Sequence, residues 1–362
     1  MNFFSQKLDA FGLDFSDLSL KIAHLRPKNK AFSLSCFGEV RIPAGVIESG
    51  EVRDVKKLAQ IIKQGVEGVK GKRLATKFVV VSLPEEKSFL DVLSLPRMPD
   101  KELESAVSFE AENYFPIPIA DVYFDFTKEN KASLCDKNQN IMIVATPKKI
   151  VDSYVEAIKL AGLFPIALEI ESLAIARALV KKNEVTSPLL IIDFGESRTS
   201  FIIFADNLVR FTSSINTSSQ QLTEAIATQL KITPEEAEKL KRENGLKGNP
   251  KVLQAISAPL NELSNQIQNH LEYFYTQSSH GVSGNQNFKI TQICLCGGGS
   301  NLTGLADFLS RGLNIKVDLG NPWINILRYP IKEVPILSFY ESSGYATALG
   351  LALRASSGNL KK

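Results

Sequence analysis

Three short segments of the chain carry residue types that could hold a phosphorylated ligand, and each follows an apolar run. The first starts at Asp14 and continues with Ser16, Ser19 and Lys21; the second starts at Asp193 and continues with Gly195, Ser197 and Thr199; the third is Gly297-Gly298-Gly299-Ser300. Glycine lets a backbone approach a ligand closely, hydroxyl and ammonium groups pair with phosphate oxygens, and successive N–H groups at a turn or helix start bind anions. Two such turns facing each other would clamp a polyphosphate. Asp14 and Asp193 could then hold Mg²⁺ through waters, since that ion takes oxygen ligands and keeps much of its hydration shell. Taken one at a time, each segment is also ordinary turn chemistry. Their order along the chain gives them weight: turn, insert, second turn, helical insert, glycine loop.

The elements that must position these residues repeat. Residues 11–25 read as a strand, a tight turn and a second strand, and residues 189–204 echo them, with Asp14 and Asp193 in the same place. The pattern predicts a duplicated α/β architecture with two similar halves. Positions 55–69 have helical apolar spacing at Val55, Leu58, Ile61, Ile62, Val66 and Val69, and 78–83 is a buried strand stopped by Pro84. A compact block, 84–148, then interrupts the first half. Its helix starts after Met98-Pro99-Asp100, with Asp100 the expected N-cap, carries Leu103, Ala106, Val107 and Ala111 on one face, and ends near Tyr114-Phe115-Pro116-Ile117-Pro118. A strand at 141–145 closes the block. Helix 149–161, strand 164–170 and helix 171–181 lead into the second half. There 217–289 reads as a helical insert, with helices at 218–230, at 234–244 after Thr233-Pro234, and at 261–277, then a Ser/Gly/Asn-rich loop at 278–287. Strand 290–295 runs into the glycine loop and a helix at 302–311. An Ala- and Leu-rich helix at 342–355 reads as buried, and 356–362 as a disordered tail.

Bulk properties narrow the function class. The chain has 362 residues, 44% hydrophobic and 22% charged, with a formal charge of only +3 and no long Lys/Arg block. It is long enough for several cores and too weakly basic to argue for nucleic acid. No apolar run approaches the ~20 residues that span a bilayer, and Met1 to Lys7 lacks a signal-peptide core. The expectation is a cytoplasmic protein. Of the four cysteines, Cys294 and Cys296 share one face of a strand, and His24, His270 and His280 lie far from them in sequence. They read as small core residues without a metal or redox role.

At this point a resemblance becomes specific. The chain is similar over nearly its whole length to the PilM family of type IV pilus assembly proteins, relatives of the division protein FtsA within the actin-like ATPase superfamily. It is carried by Gly12-Leu13-Asp14 to Lys21, Leu95-Pro96-Arg97-Met98-Pro99 with the helix ending Glu112-Asn113-Tyr114-Phe115-Pro116, and Ala161-Gly162-Leu163. Asp193-Phe194-Gly195, Cys296 to Leu302, Asn321-Pro322-Trp323 and Ala348 to Arg354 complete it. It implies an actin-like (ribonuclease H-like) duplicated fold with two inserted subdomains. The first half would take 1–83, 149–185 and 341–355, and the second 186–216 and 290–340. The inserts would be 84–148, the small domain of the FtsA and PilM type, and 217–289. It further implies ATP between the halves and a groove beside the small inserted domain that takes the cytoplasmic N-terminal peptide of a PilN-like inner-membrane protein. The protein would then sit at the inner face of the membrane through partners, among other pilus assembly proteins and with self-association.

The resemblance also assigns single residues. Glu171 aligns with the position that orients attacking water, although an acidic residue in a first helical turn is also what the helix dipole favours. Glu238 and Lys241 match positions lining the adenosine pocket; alternatively they form a solvated i, i+3 pair. The family's first phosphate turn, Asp-Ile-Gly-Ser-Ser-Ser-x-Lys, is degraded here to Asp14-Phe15-Ser16-Asp17-Leu18-Ser19-Leu20-Lys21. Each lost hydroxyl removes a hydrogen bond of ~0.5–1.5 kcal/mol. Asp17 adds a negative charge that costs ~1 kcal/mol at 4 Å in water. Arg198 in the second turn is expected either to face the cleft and offset Asp17 or to point to solvent. A nucleotide-binding scaffold is therefore favoured over two alternatives, an active ATPase or sugar-kinase-like enzyme and an FtsA-like division protein. The latter ends in a basic amphipathic helix, which residues 356–362 do not resemble.

Overall fold

A computed structural model describes residues 8–129, 137–181, 187–281, 289–328, 330 and 334–357. Two large sheets organise it. The first runs Phe164–Ile170, Phe78–Leu83, Ala10–Phe15, Ser19–Lys28, Ala31–Arg41 and Lys70–Gly71. The second runs Lys316–Leu319, Gln292–Cys296, Leu189–Phe194, Thr199–Ala205 and Leu208–Ile215. In that order the first five strands correspond one to one. Ala10–Phe15 and Leu189–Phe194 are each parallel to a neighbour on one side and open an antiparallel meander on the other. The echo in the sequence is thus a repeat of topology. Burial explains its legibility: both leading strands lie inside their sheets with apolar contacts on both faces, so they read as continuous apolar runs rather than alternating ones.

Residues 89–147 build a separate three-stranded antiparallel sheet, with Asn138–Pro147 between Phe89–Pro96 and Val122–Lys128. The helix Asp100–Ala111 covers it through Leu103, Val107 and Ala111. Asp100 is not the N-cap. That position is Pro99, without a side-chain hydrogen bond, and Asp100 is the first helical residue, paired with Lys128 at 3.1 Å. Pro99 itself is extended, at φ −59° and ψ 146°, and it disfavours helical dihedrals in Met98 before it, so the helix starts at Asp100.

The helical block holds Ser219–Leu230, Pro234–Asn244 and Pro250–Gly281. Thr233 caps the second helix in a full capping box with Glu236. The third helix is longer than its apolar spacing suggested. It starts eleven residues before Asn261, passes through Pro259, and takes in 278–281 of the expected loop; 282–288 lie outside the described residues. The helix expected at 302–311 begins later, at Leu305, because Gly298–Asn301 winds as a 3-10 turn and Gly304 adopts φ +89°. The last helix is Ala346–Ser357, so the expected tail begins no earlier than 358, outside the described residues.

That last helix packs against Glu171–Leu179 and is buried nearly all round. A Cβ on Gly350 would lie 1.9 Å from the Ala174 carbonyl oxygen, so the helices touch backbone to backbone at that point. Among the described residues no helix is long and apolar enough to cross a membrane.

Candidate functional site

The repeated hairpins bring their turns together at the edges of the two sheets. Asp14 stands directly across from Lys21 in the first hairpin, and Asp193 across from Ser200 in the second. Asp14 accepts a hydrogen bond from the Ser82 hydroxyl at 3.1 Å, and Asp193 faces the Cys296 thiol at 3.7 Å. Burial pushes the Asp14 carboxyl up to about 7, with Asp193 and Glu39 adding to the rise and Lys21 and Ser82 opposing it. Burial also raises Asp193, again against Lys21. The Lys21 ammonium therefore serves both halves.

Two residues without a sequence signal of their own complete the floor. Glu85 and Glu86 follow Pro84 at the end of strand Phe78–Leu83, which lies parallel to Ala10–Phe15. The clue was available: parallel neighbours end on the same edge, so whatever follows Leu83 must sit beside Asp14. Glu85 accepts from the Ser172 backbone N–H at 3.0 Å, and its carboxyl is raised by burial. Glu171 opens its helix beside them and is held well above the usual carboxylate range by burial, then by Glu86, Asp14, Glu85 and Asp193. Five carboxyl groups from both halves share this space, opposed by Lys21 and Arg198.

The glycine loop lies against the second turn. Gly297 has φ +85°, and a Cβ there would come within 2.3 Å of the Asp193 carboxylate. A Cβ on Gly299 would strike the Phe194 ring at 2.6 Å, whereas at Gly298 nothing lies within 4 Å. Gly297 and Gly299 are thus needed for the loop to lie on strand Leu189–Phe194, and Gly298 is the one open to a ligand. The Ser300 hydroxyl is buried, donates to the Gly297 carbonyl at 2.7 Å and lies 2.6 Å from the Ser343 hydroxyl, so it staples the loop.

Other residues expected to touch a ligand are also occupied. The Ser16 and Ser19 hydroxyls are 3.0 Å apart and close the first turn on itself. Thr199 is buried and donates to the Thr217 carbonyl at 2.5 Å. In the second turn the Gly195 N–H donates to the Arg198 carbonyl at 3.0 Å, and Ser197 is half-buried at its apex. Glu238 and Lys241 do not form a solvated pair. The Lys241 ammonium is buried, pairs with the Glu238 carboxylate at 2.6 Å, and lies 2.9 Å from the Ser219 carbonyl and hydroxyl oxygens and 2.7 Å from the Thr223 hydroxyl. Burial alone would raise Glu238, but hydrogen bonds from Lys241, Thr223 and Arg242 hold it below the ordinary range. The pair sews Pro234–Asn244 onto Ser219–Leu230.

Arg198 faces the cleft. Its guanidinium reaches Asp17 at 3.2 Å and Glu86 at 2.8 Å, so it touches the first half from the second. The family described as type IV pilus assembly protein PilM matches residues 12–356. The chain belongs to that family.

Solved structures agree. The chain is 28% identical to one titled as the PilM-PilN type IV pilus biogenesis complex, with a TM-score of 0.78 over 96% of this chain and 99% of that one. It also resembles the ethanolamine utilization protein EutJ from Carboxydothermus hydrogenoformans, at 15% identity and TM-score 0.55, covering 95% of this chain and 88% of that one. MreB5 of Spiroplasma citri bound to ADP matches at 10% identity and TM-score 0.52, over 94% of each chain. The fold is actin-like. Asp17 in the first turn has partners of its own. Its carboxylate accepts from the Ser49 and Gly50 N–H groups at 3.1 and 2.9 Å as well as from Arg198. The cysteines described, Cys36, Cys294 and Cys296, are free thiols; Cys135 lies outside the described residues. Among the described residues no cluster of three or more His, Cys, Asp or Glu could hold a metal directly.

Proposed function

We propose that this PilM-family protein is a cytoplasmic scaffold of type IV pilus assembly. It binds the cytoplasmic N-terminal peptide of a PilN-like membrane protein and takes ATP–Mg²⁺ in the cleft between its two actin-like halves. The observation that carries the nucleotide reading is the meeting of the two hairpin turns, close enough for Arg198 to reach Asp17. The relative solved as a PilM-PilN complex, matched over 99% of its length, supports the partner. In this reading the contacts to phosphate come from Lys21, the backbone of both turns and Gly298, while Ser16, Ser19, Thr199 and Ser300 keep the turns in shape. Asp14 and Asp193 fit a hydrated magnesium ion. Both are oxygen donors; burial keeps their carboxyls high, and a divalent cation would favour their charged forms. Magnesium bound there would neutralise phosphate charge.

The first turn argues for a scaffold rather than a fast enzyme: Asp17 adds a carboxylate where phosphate would enter, and it is already paired with Arg198. Titration calorimetry of ATP–Mg²⁺, with and without a synthetic peptide of the N-terminal segment of the organism's PilN homologue, tests the reading. Saturable binding of each is expected. Absence of nucleotide binding would leave a peptide-binding pseudo-ATPase, and absence of peptide binding would remove the scaffold assignment.

A further inference from the structure

Arg198 is tied into a compact ionic knot that links the two halves. Its guanidinium contacts Asp17 at 3.2 Å and Glu86 at 2.8 Å, and all three side chains are largely withdrawn from solvent. Asp17 is held in turn by the Ser49 and Gly50 N–H groups. Gly50, at φ +75°, lies so close to Glu86 that a Cβ there would fall 2.6 Å from its carboxylate, and the Tyr154 hydroxyl donates to the Gly50 carbonyl at 3.1 Å. The knot therefore joins the first turn, the Ser49–Gly50 turn, the stretch after Pro84 and helix Lys148–Leu160, and through Asp17 and Glu86 it grips one arginine from the other half. A second link, between Arg41 and Glu196, is largely exposed and so contributes little.

We propose that Arg198 is a cross-cleft latch for which the phosphates of a nucleotide compete with Asp17 and Glu86. This rests on the nucleotide reading above. An arginine fork suits phosphate oxygens as well as carboxylates, and a partly buried guanidinium paired with two carboxylates has its charge already compensated. Phosphate entering the first turn approaches the Asp17 carboxylate as a like charge. It gains Arg198 only as that carboxylate gives way. Asp17 thus restrains affinity while Arg198 supports it, and both hold the halves together.

The two residues are therefore expected to have opposite effects. Asp17→Asn, which keeps the shape and the hydrogen bonds to the turn amides within reach, should tighten ATP–Mg²⁺ binding about tenfold, equivalent to about 1.4 kcal/mol. Arg198→Gln should weaken it by a similar factor. Both variants should broaden the distance between dyes attached through unnatural amino acids at exposed positions 63 and 239, one in each half, measured without added nucleotide. A knot that merely stabilises the fold would make both variants lose affinity, and that result, or two unchanged affinities, overturns the latch. Should no form of the protein bind ATP, the nucleotide reading fails separately. The dye distance then decides: broadening in both variants upholds the cross-cleft tie, and an unchanged distance overturns it.

Discussion

Neighbouring glycines in the loop Gly297-Gly298-Gly299 have different duties. Gly297 is demanded by its positive φ and by the Asp193 carboxylate 2.3 Å from where a Cβ would stand, so Gly297→Ala must push the loop off strand Leu189–Phe194. A loss of about 1–3 kcal/mol is expected, read as a lowered thermal midpoint. Gly298 has open space, so Gly298→Ala should keep the wild-type stability within about 0.5 kcal/mol, with an unchanged thermal midpoint, while weakening ATP–Mg²⁺ binding if the loop meets the ligand through Gly298. Equal midpoints for the two variants would show that the loop does not lie on Asp193 as described. The serines and threonine of the turns teach a related lesson. Hydroxyl-bearing residues in a phosphate-like motif can be spent on holding the turn, as Ser16, Ser19, Thr199 and Ser300 are.

Among the elements, the last helix decides how the first half is completed. Ala346–Ser357 lies between sheet strands and Glu171–Leu179, the helix that carries Glu171 into the cleft. Its register rests on Gly350 against Ala174. Gly350→Ala should force the helices apart and lower the unfolding free energy by about 2–3 kcal/mol, read as a lower urea midpoint with an unchanged slope of the transition. A variant as stable as the parent would contradict this packing. The acidic Glu169 lies beneath, bound by both Arg177 and Arg354, so the last helix is also held by charge.

For the whole molecule, the meeting of two halves creates the acidic cluster, and with it a pH dependence. Asp14, Asp193, Glu85, Glu86 and Glu171 all have carboxyls raised in the folded protein, chiefly by burial. A raised folded carboxyl keeps its proton where the unfolded chain has lost it, so stability falls as pH rises from the unfolded value toward the folded one. For Asp14 that window runs from 3.8 to about 7. Glu51, Glu238 and Asp307, which are lowered, change stability only up to their unfolded values of 4.5, 4.5 and 3.8, below the pH 5 to 8 interval. The thermal midpoint should therefore decline from pH 5 to pH 8, and Asp14→Asn should flatten that decline. A midpoint that rises over the same interval would mean the cluster is not crowded in solution.

By itself the sequence determined the two halves and their order. Apolar strands must be buried, their length and period reveal them, and the Asp-led hairpin occurs twice. It also determined the starts of well-capped elements, such as the helix after Thr233. Only the tertiary structure decided which charges meet. Glu85 and Glu86 join Asp14 because strands pair in parallel, and Lys241 is buried because two helices of the insert pack together. Arg198 finds Asp17 across a cleft, although both expected orientations were compatible with its local sequence. Local patterns report burial and turn geometry. The pairing of side chains brought together from distant segments follows from packing, and no local period encodes it.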